Sequence, residues 1–173
     1  MNYLKSGAKV FGNYLISLVF FIVFLYPFIV ITGERFSNWL PIYSILIFIP
    51  MFSMLFSNLN SLAKKEKRSE NPLKVYPLKG LIIGLIGFSP VILLEIIYPL
   101  IVLNNPTANR LKELALKTIL GPVFFILRFT GTNAVSYAIA SLVVPAIAML
   151  GYITGFYDIR LNEVFRKKIA KDK

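Results

Sequence analysis

The sequence predicts an all-α integral membrane protein: a bundle of four transmembrane helices plus an outer interfacial or re-entrant segment. Three observations predict it. Four apolar runs, residues 10–32, 39–59, 80–103 and 134–156, each reach the ~20 residues that a helix needs to cross a hydrocarbon core. Lys and Arg crowd alternate ends of these runs. The chain is 57% hydrophobic with a mean hydropathy of +0.71, and the excess lies in the runs. The 173 residues suit a single membrane domain.

The first run follows Lys5 and Lys9, as the core of a signal peptide would. It is much longer than the ~7–15 residues of such a core, and no small-residue cleavage signal follows, so an uncleaved first span is expected. Residues 33–38 form a polar turn. Trp39 opens the second run, with Pro41 in its first turn, where a missing N–H costs little. Pro50 lies mid-span and is expected to break the helix with a kink.

Residues 60–79 form a basic cytoplasmic loop. Lys64, Lys65, Lys67, Arg68, Lys74 and Lys79 outweigh Glu66 and Glu70, and Pro72 and Pro77 oppose a long helix in its latter half. In the third run, Pro90 and Pro99 are further expected breaks, with Glu95 between them. The outer segment, residues 104–133, begins with a polar, helix-favouring piece at 110–117. Residues 118–130 are apolar but are broken at Gly121-Pro122 and closed by Arg128. That piece is too short to span, so it is read as interfacial or re-entrant. The fourth run follows, and then a basic cytoplasmic tail at 157–173.

Fourteen of the 19 Lys and Arg residues fall on the side that holds the N-terminus, the 60–79 loop and the tail. The positive-inside rule places both termini in the cytoplasm. A full crossing by residues 118–130 would put the basic tail outside, against that rule. Tyr26, Trp39, Tyr43 and Tyr98 then lie near the outer boundary, and Tyr3, Tyr76, Tyr152 and Tyr157 near the inner one, where amphipathic rings are favoured. A bacterial plasma membrane fits this asymmetry.

The chain has no Cys and no His. This removes thiol nucleophiles, disulfides, the commonest general base and the commonest transition-metal ligand. No phosphate-binding loop or hydrolase motif occurs, and the only two Asp, Asp158 and Asp172, lie in the tail. Neither enzymatic activity nor a cofactor or metal is expected. The net charge of +11 flanks the spans, so anionic lipid headgroups are the expected partner rather than nucleic acid.

Three groups of residues stand out. Glu95 is the one ionisable residue well inside an expected span, ~22 Å along the helix from Gly80. A carboxylate at that depth must face the bundle, a cavity or a partner. The expectation is an intramembrane polar pair with Arg128; the sharper alternative is a proton- or cation-binding group. Gly80, Gly84 and Gly87, with Gly151 and Gly155, have spacings that let helix backbones approach, and they are expected to join the third and fourth spans at the inner end. Lys64, Lys65, Lys67, Arg68, Arg166, Lys167 and Lys168 are expected to contact lipid or an acidic partner. The expected function is a non-catalytic subunit or accessory protein of a membrane complex, meeting a membrane-protein partner or a second copy. The alternative is a small oligomeric transporter or channel that uses Glu95.

Single cysteines at Asn105, Asn133 and Asp172 test the orientation without a background. Positions 105 and 133 are expected to react with an impermeant maleimide added to intact cells, and position 172 only after lysis. Outward labelling of 172 would overturn the four-span arrangement.

Overall fold

The computed structural model describes residues 3–68, 76–101, 105–131 and 133–158. These residues form helices α1 (Tyr3–Thr32), α2 (Phe36–Lys67), α3 (Lys79–Ile97), α4 (Pro106–Ile119), α5 (Phe124–Thr130) and α6 (Ala134–Phe156), with no strand among the described residues. Three helical stretches are long and apolar enough to cross a membrane: Tyr3–Lys67, Lys79–Ile97 and Val135–Phe156.

The first stretch contains two helices that fold back on one another. The Tyr43 hydroxyl donates to the Phe21 carbonyl at 2.6 Å, although 22 residues separate them. In a straight helix they would stand ~33 Å apart. The reversal occurs at the 3-10 turn Gly33–Arg35, where Gly33 has φ +53°, a conformation that glycine adopts without a Cβ clash. Phe28 stacks on Tyr43 at 4.5 Å and meets Phe36 edge-on at 6.2 Å, closing the α1–α2 hairpin.

Helix α2 runs two turns beyond the expected span. Its last residues, Leu62 to Lys67, are good helix formers, and Lys64, Lys65 and Lys67 in the final turn complement the helix dipole. Helix α3 ends at the 3-10 turn Tyr98–Leu100, which contains Pro99, and the chain turns extended at Ile101. Helix α4 has a full N-terminal signature: the Asn105 side chain accepts from the Thr107 N–H at 2.9 Å, and Pro106 takes the first position.

The expected proline breaks divide into two kinds. Pro99 and Pro122 do sit in 3-10 turns where helices stop. Pro50 and Pro90 do not break their helices, and α2 and α3 continue through them. At Pro90 the compensation is visible. Proline lacks the N–H that would bond the Ile86 carbonyl, and the Ser89 hydroxyl donates to that carbonyl instead at 2.8 Å.

The glycines set the helix order. Gly80 and Gly84 face α6, against Ala148 and Tyr152 and against Pro145 and Ala148 respectively, so α3 and α6 run antiparallel. Gly151 abuts Phe56 and Leu59, and Gly155 abuts Asn60 and Ala63, so α2 and α6 run parallel. Gly87 packs on Gly7 and Val10 of α1. The five glycines therefore do not all join α3 to α6. The expectation is corrected because the Gly151/Gly155 pair is centred about 60° around the helix from the Ala148/Tyr152 pair, so α6 presents two adjacent faces to two neighbours.

A Cβ at Gly84 would stand 2.7 Å from the Pro145 Cα, a backbone atom that cannot yield, whereas one at Gly12 would meet nothing within 4 Å. Gly84→Ala is expected to destabilise by about 1–3 kcal/mol through overpacking, and Gly12→Ala to gain up to about 1 kcal/mol of helix propensity. Thermal unfolding in detergent should move in opposite directions for the two variants.

Candidate functional site

The centre of the molecule is occupied by the broken segment that follows α4. Leu120, Gly121, Pro122, Val123 and Leu127 are buried, and the hydrophobic members of this group join a core with Val10, Tyr14, Met51, Phe88 and Val144. The first part of this segment, residues 120–127, is thus packed among the long helices, while residues 128–130 are exposed. Its backbone is satisfied by side chains. The Tyr14 hydroxyl donates to the Ile119 carbonyl at 2.6 Å. The Ser44 hydroxyl donates to the Gly121 carbonyl at 2.7 Å and accepts from the Phe125 N–H at 3.1 Å. Gly121 faces the Phe21 ring so closely that no Cβ fits.

Glu95 lies on α3, within electrostatic reach of the Tyr14 side chain that ties down this plug. It is half-buried, and its Oε1 is buried without a hydrogen-bond partner among the described residues. The side chain that faces it is the Ser141 hydroxyl on α6. Arg128 is exposed on α5, and no ion pair joins it to Glu95 among the described residues. The expected Glu95–Arg128 pair is therefore corrected. Insertion of the plug carries α5 up to its own exposed end, and Glu95 turns inward to α6 instead.

Lysines near Glu95 serve other groups. Lys112 donates to the Tyr98 carbonyl at 3.1 Å and the Ile101 carbonyl at 2.5 Å, and it stands 4.4 Å from the Tyr98 ring centroid. It ties α4 to the carbonyl end of α3. Glu113 accepts from Lys117 at 2.6 Å and holds that ammonium above the ordinary lysine range.

At the other end of the bundle lies a buried ionic cluster. Lys79, the first residue of α3, places its Nζ 2.9 Å from each Glu66 carboxylate oxygen. Tyr152 of α6 donates to Glu66 Oε2 at 2.5 Å. Lys79 is 6% exposed and Glu66 9%, so both charges have left water. The Tyr3 ring centroid stands 5.3 Å from the Lys79 ammonium. One carboxylate thus binds α2, α3 and α6 together, and Tyr3 brings α1 to the same point.

Sequence reasoning counted Lys79 and Glu66 only as loop charges. A signal was available in the buried face of α2, where Met51, Leu55, Leu59, Ala63 and Glu66 recur at helical spacing. Extending the helix by two turns turns Glu66 inward.

The predicted basic surface also divides. Lys64 pairs with Asp158 at 3.6 Å, and Lys67 donates to the Phe156 carbonyl at 3.0 Å. Lys65 and Arg68 are exposed. Arg166, Lys167 and Lys168 lie outside the described residues. Asn60 donates to the Thr154 hydroxyl at 3.0 Å, adding a further tie between α2 and α6.

Lys79→Met leaves the Glu66 charge buried without its cation. It is expected to destabilise by about 3–5 kcal/mol, and Tyr152→Phe by about 1–3 kcal/mol. The double variant Glu66→Leu/Lys79→Met is expected to recover much of the loss, because it buries no charge. Denaturant unfolding in detergent measures all three.

No family model, no curated protein and no solved structure matches this chain.

Proposed function

We propose that the chain is a multi-pass protein of a bacterial plasma membrane, with four spans and both termini in the cytoplasm. It acts there as a non-catalytic subunit or accessory protein of a membrane complex. The alternating directions of α1, α2, α3 and α6 support the four spans, because each successive long helix runs back across the same thickness. In this reading α1, α2, α3 and α6 are the spans, and the segment Gly121–Thr130 enters and leaves by the outer face.

The observation that carries the accessory role is the filled interior. Tyr14, Phe88, Met51, Leu55, Leu120, Leu127 and Tyr152 are fully buried side chains along the bundle axis. Leu120, Val123 and Leu127 join the core among the long helices, which supports a body without a solute path through one copy. The buried ionic groups Glu66 and Lys79 are spent on one another and on Tyr152, and the chain presents a broad apolar flank and a basic end to its surroundings. Such a body acts through contact, with lipid and with a membrane-protein partner or a second copy.

A second reading has one observation in its favour. The buried, unpartnered Glu95 Oε1 is the kind of group that binds a proton or a cation in a transporter. In that case copies assemble and Glu95 is the coupling or selectivity group.

Purification of the tagged protein in mild detergent, with determination of the mass and composition of the complex, separates the two readings. A second protein in fixed ratio is expected. A clean homo-oligomer whose proteoliposomes pass cations, with flux abolished by Glu95→Gln, would overturn the accessory role.

A further inference from the structure

The basic residues at the inner end are not equivalent. Lys64, Lys67 and Lys79 are engaged with Asp158, the Phe156 carbonyl and Glu66. Lys9 and Lys65 are exposed, and no hydrogen bond or ion pair joins either to another described residue. They stand together on the rim of a hollow of about 120 Å³ between the start of α1 and the end of α2. Ser6, Asn58 and Ser61 supply its polar wall, and among the described residues no acidic one lines it. Leu59 and Leu62 form the apolar side.

We infer that this hollow binds the phosphate-bearing headgroup of an anionic phospholipid in the inner leaflet. Two ammonium groups and three neutral polar side chains suit a monoanionic phosphate diester with hydroxyls beside it. The lipid source, rather than a free anion, follows from what lies one or two turns deeper on the same helix faces. Ile16 is seven residues beyond Lys9, and Met54 is four residues before Asn58; both are exposed apolar side chains. An acyl chain descending from the headgroup meets that strip, whereas a soluble phosphate has no use for it. The inference rests on the four-span reading for the depth of the hollow, which that reading sets at the inner bilayer boundary.

The test is native mass spectrometry of the full chain in detergent, offered phosphatidylglycerol and phosphatidylcholine in equal amounts. The protein is taken from carbonate-washed membranes, so its insertion is established before lipid retention is measured. Preferential retention of phosphatidylglycerol is expected. Lys9→Gln/Lys65→Gln should weaken it about 25-fold, roughly fivefold for each cation. Lys5→Gln/Arg68→Gln removes the same charge from exposed positions outside the hollow and should weaken it less than twofold. Equal loss in the two variants would overturn the site, as would equal retention of the two lipids. Displacement of the lipid by millimolar inorganic phosphate would overturn the lipid assignment in favour of a soluble anion. Each of these failures leaves the spanning reading standing, because insertion is read from the carbonate wash and the span arrangement from cysteine labelling, and neither depends on lipid retention.

Discussion

A broken stretch of backbone runs through the centre of this bundle, and the rest is arranged to satisfy it. Where α4 gives way to α5, the 3-10 turn Gly121–Val123 replaces regular helix. Buried carbonyls and N–H groups there have no helical partner, and each left unpaired in apolar surroundings would cost several kcal/mol, on the order of 2–7. Ser44 and Tyr14 remove that penalty from two sides. Ser44 acts as donor and acceptor at once, bridging Gly121 and Phe125 across the break. With its backbone satisfied, the segment can commit Leu120, Val123 and Leu127 to the core.

The end of the bundle where α3 begins is held by a different kind of force. The Glu66–Lys79 pair is bidentate and shielded from water, and Tyr152 supplies another donor. Burying two charges costs several kcal/mol for each ion, and the attraction between them offsets this only when the geometry is good. Such a pair contributes little net stability, but it discriminates strongly between registers. A one-turn slip of α3 against α2 or α6 would leave a bare charge inside. The glycines allow the close approach, and the ionic cluster selects one position along it.

Features that depend on composition over long windows were legible in the sequence. The apolar runs, the shortness of the 118–130 piece and the Gly121-Pro122 interruption all point to the architecture found. Features that depend on azimuth were not. Which neighbour Gly87, Gly151 or Gly155 faces is decided by rotation about the helix axis, and a spacing rule says only that two glycines share a face. The Glu95–Arg128 pairing failed for the same reason, since proximity in depth says nothing of direction. Glu66 and Lys79 were hidden because a charge beside an apolar run looks like a boundary marker until the helix is known to continue past it. Pro90 was misread as a break because its compensation comes from the adjacent Ser89, a residue with no signature of its own.

The polar ties share one further property: their partners lie far apart along the chain. Tyr14 waits for Ile119, Ser44 for Gly121, Asn60 for Thr154, and Glu66 for Tyr152. A ribosome that has delivered only the first three long helices has delivered the first partner of each tie and none of the second. During synthesis the early helices therefore carry hydroxyls whose partners lie in the last third of the polypeptide, while the Glu66 carboxylate already has Lys79 of α3 and gains Tyr152 later. The nascent α1–α2 hairpin is an unfinished object. Arrival of α6 is the event that turns a set of separate helices into one body.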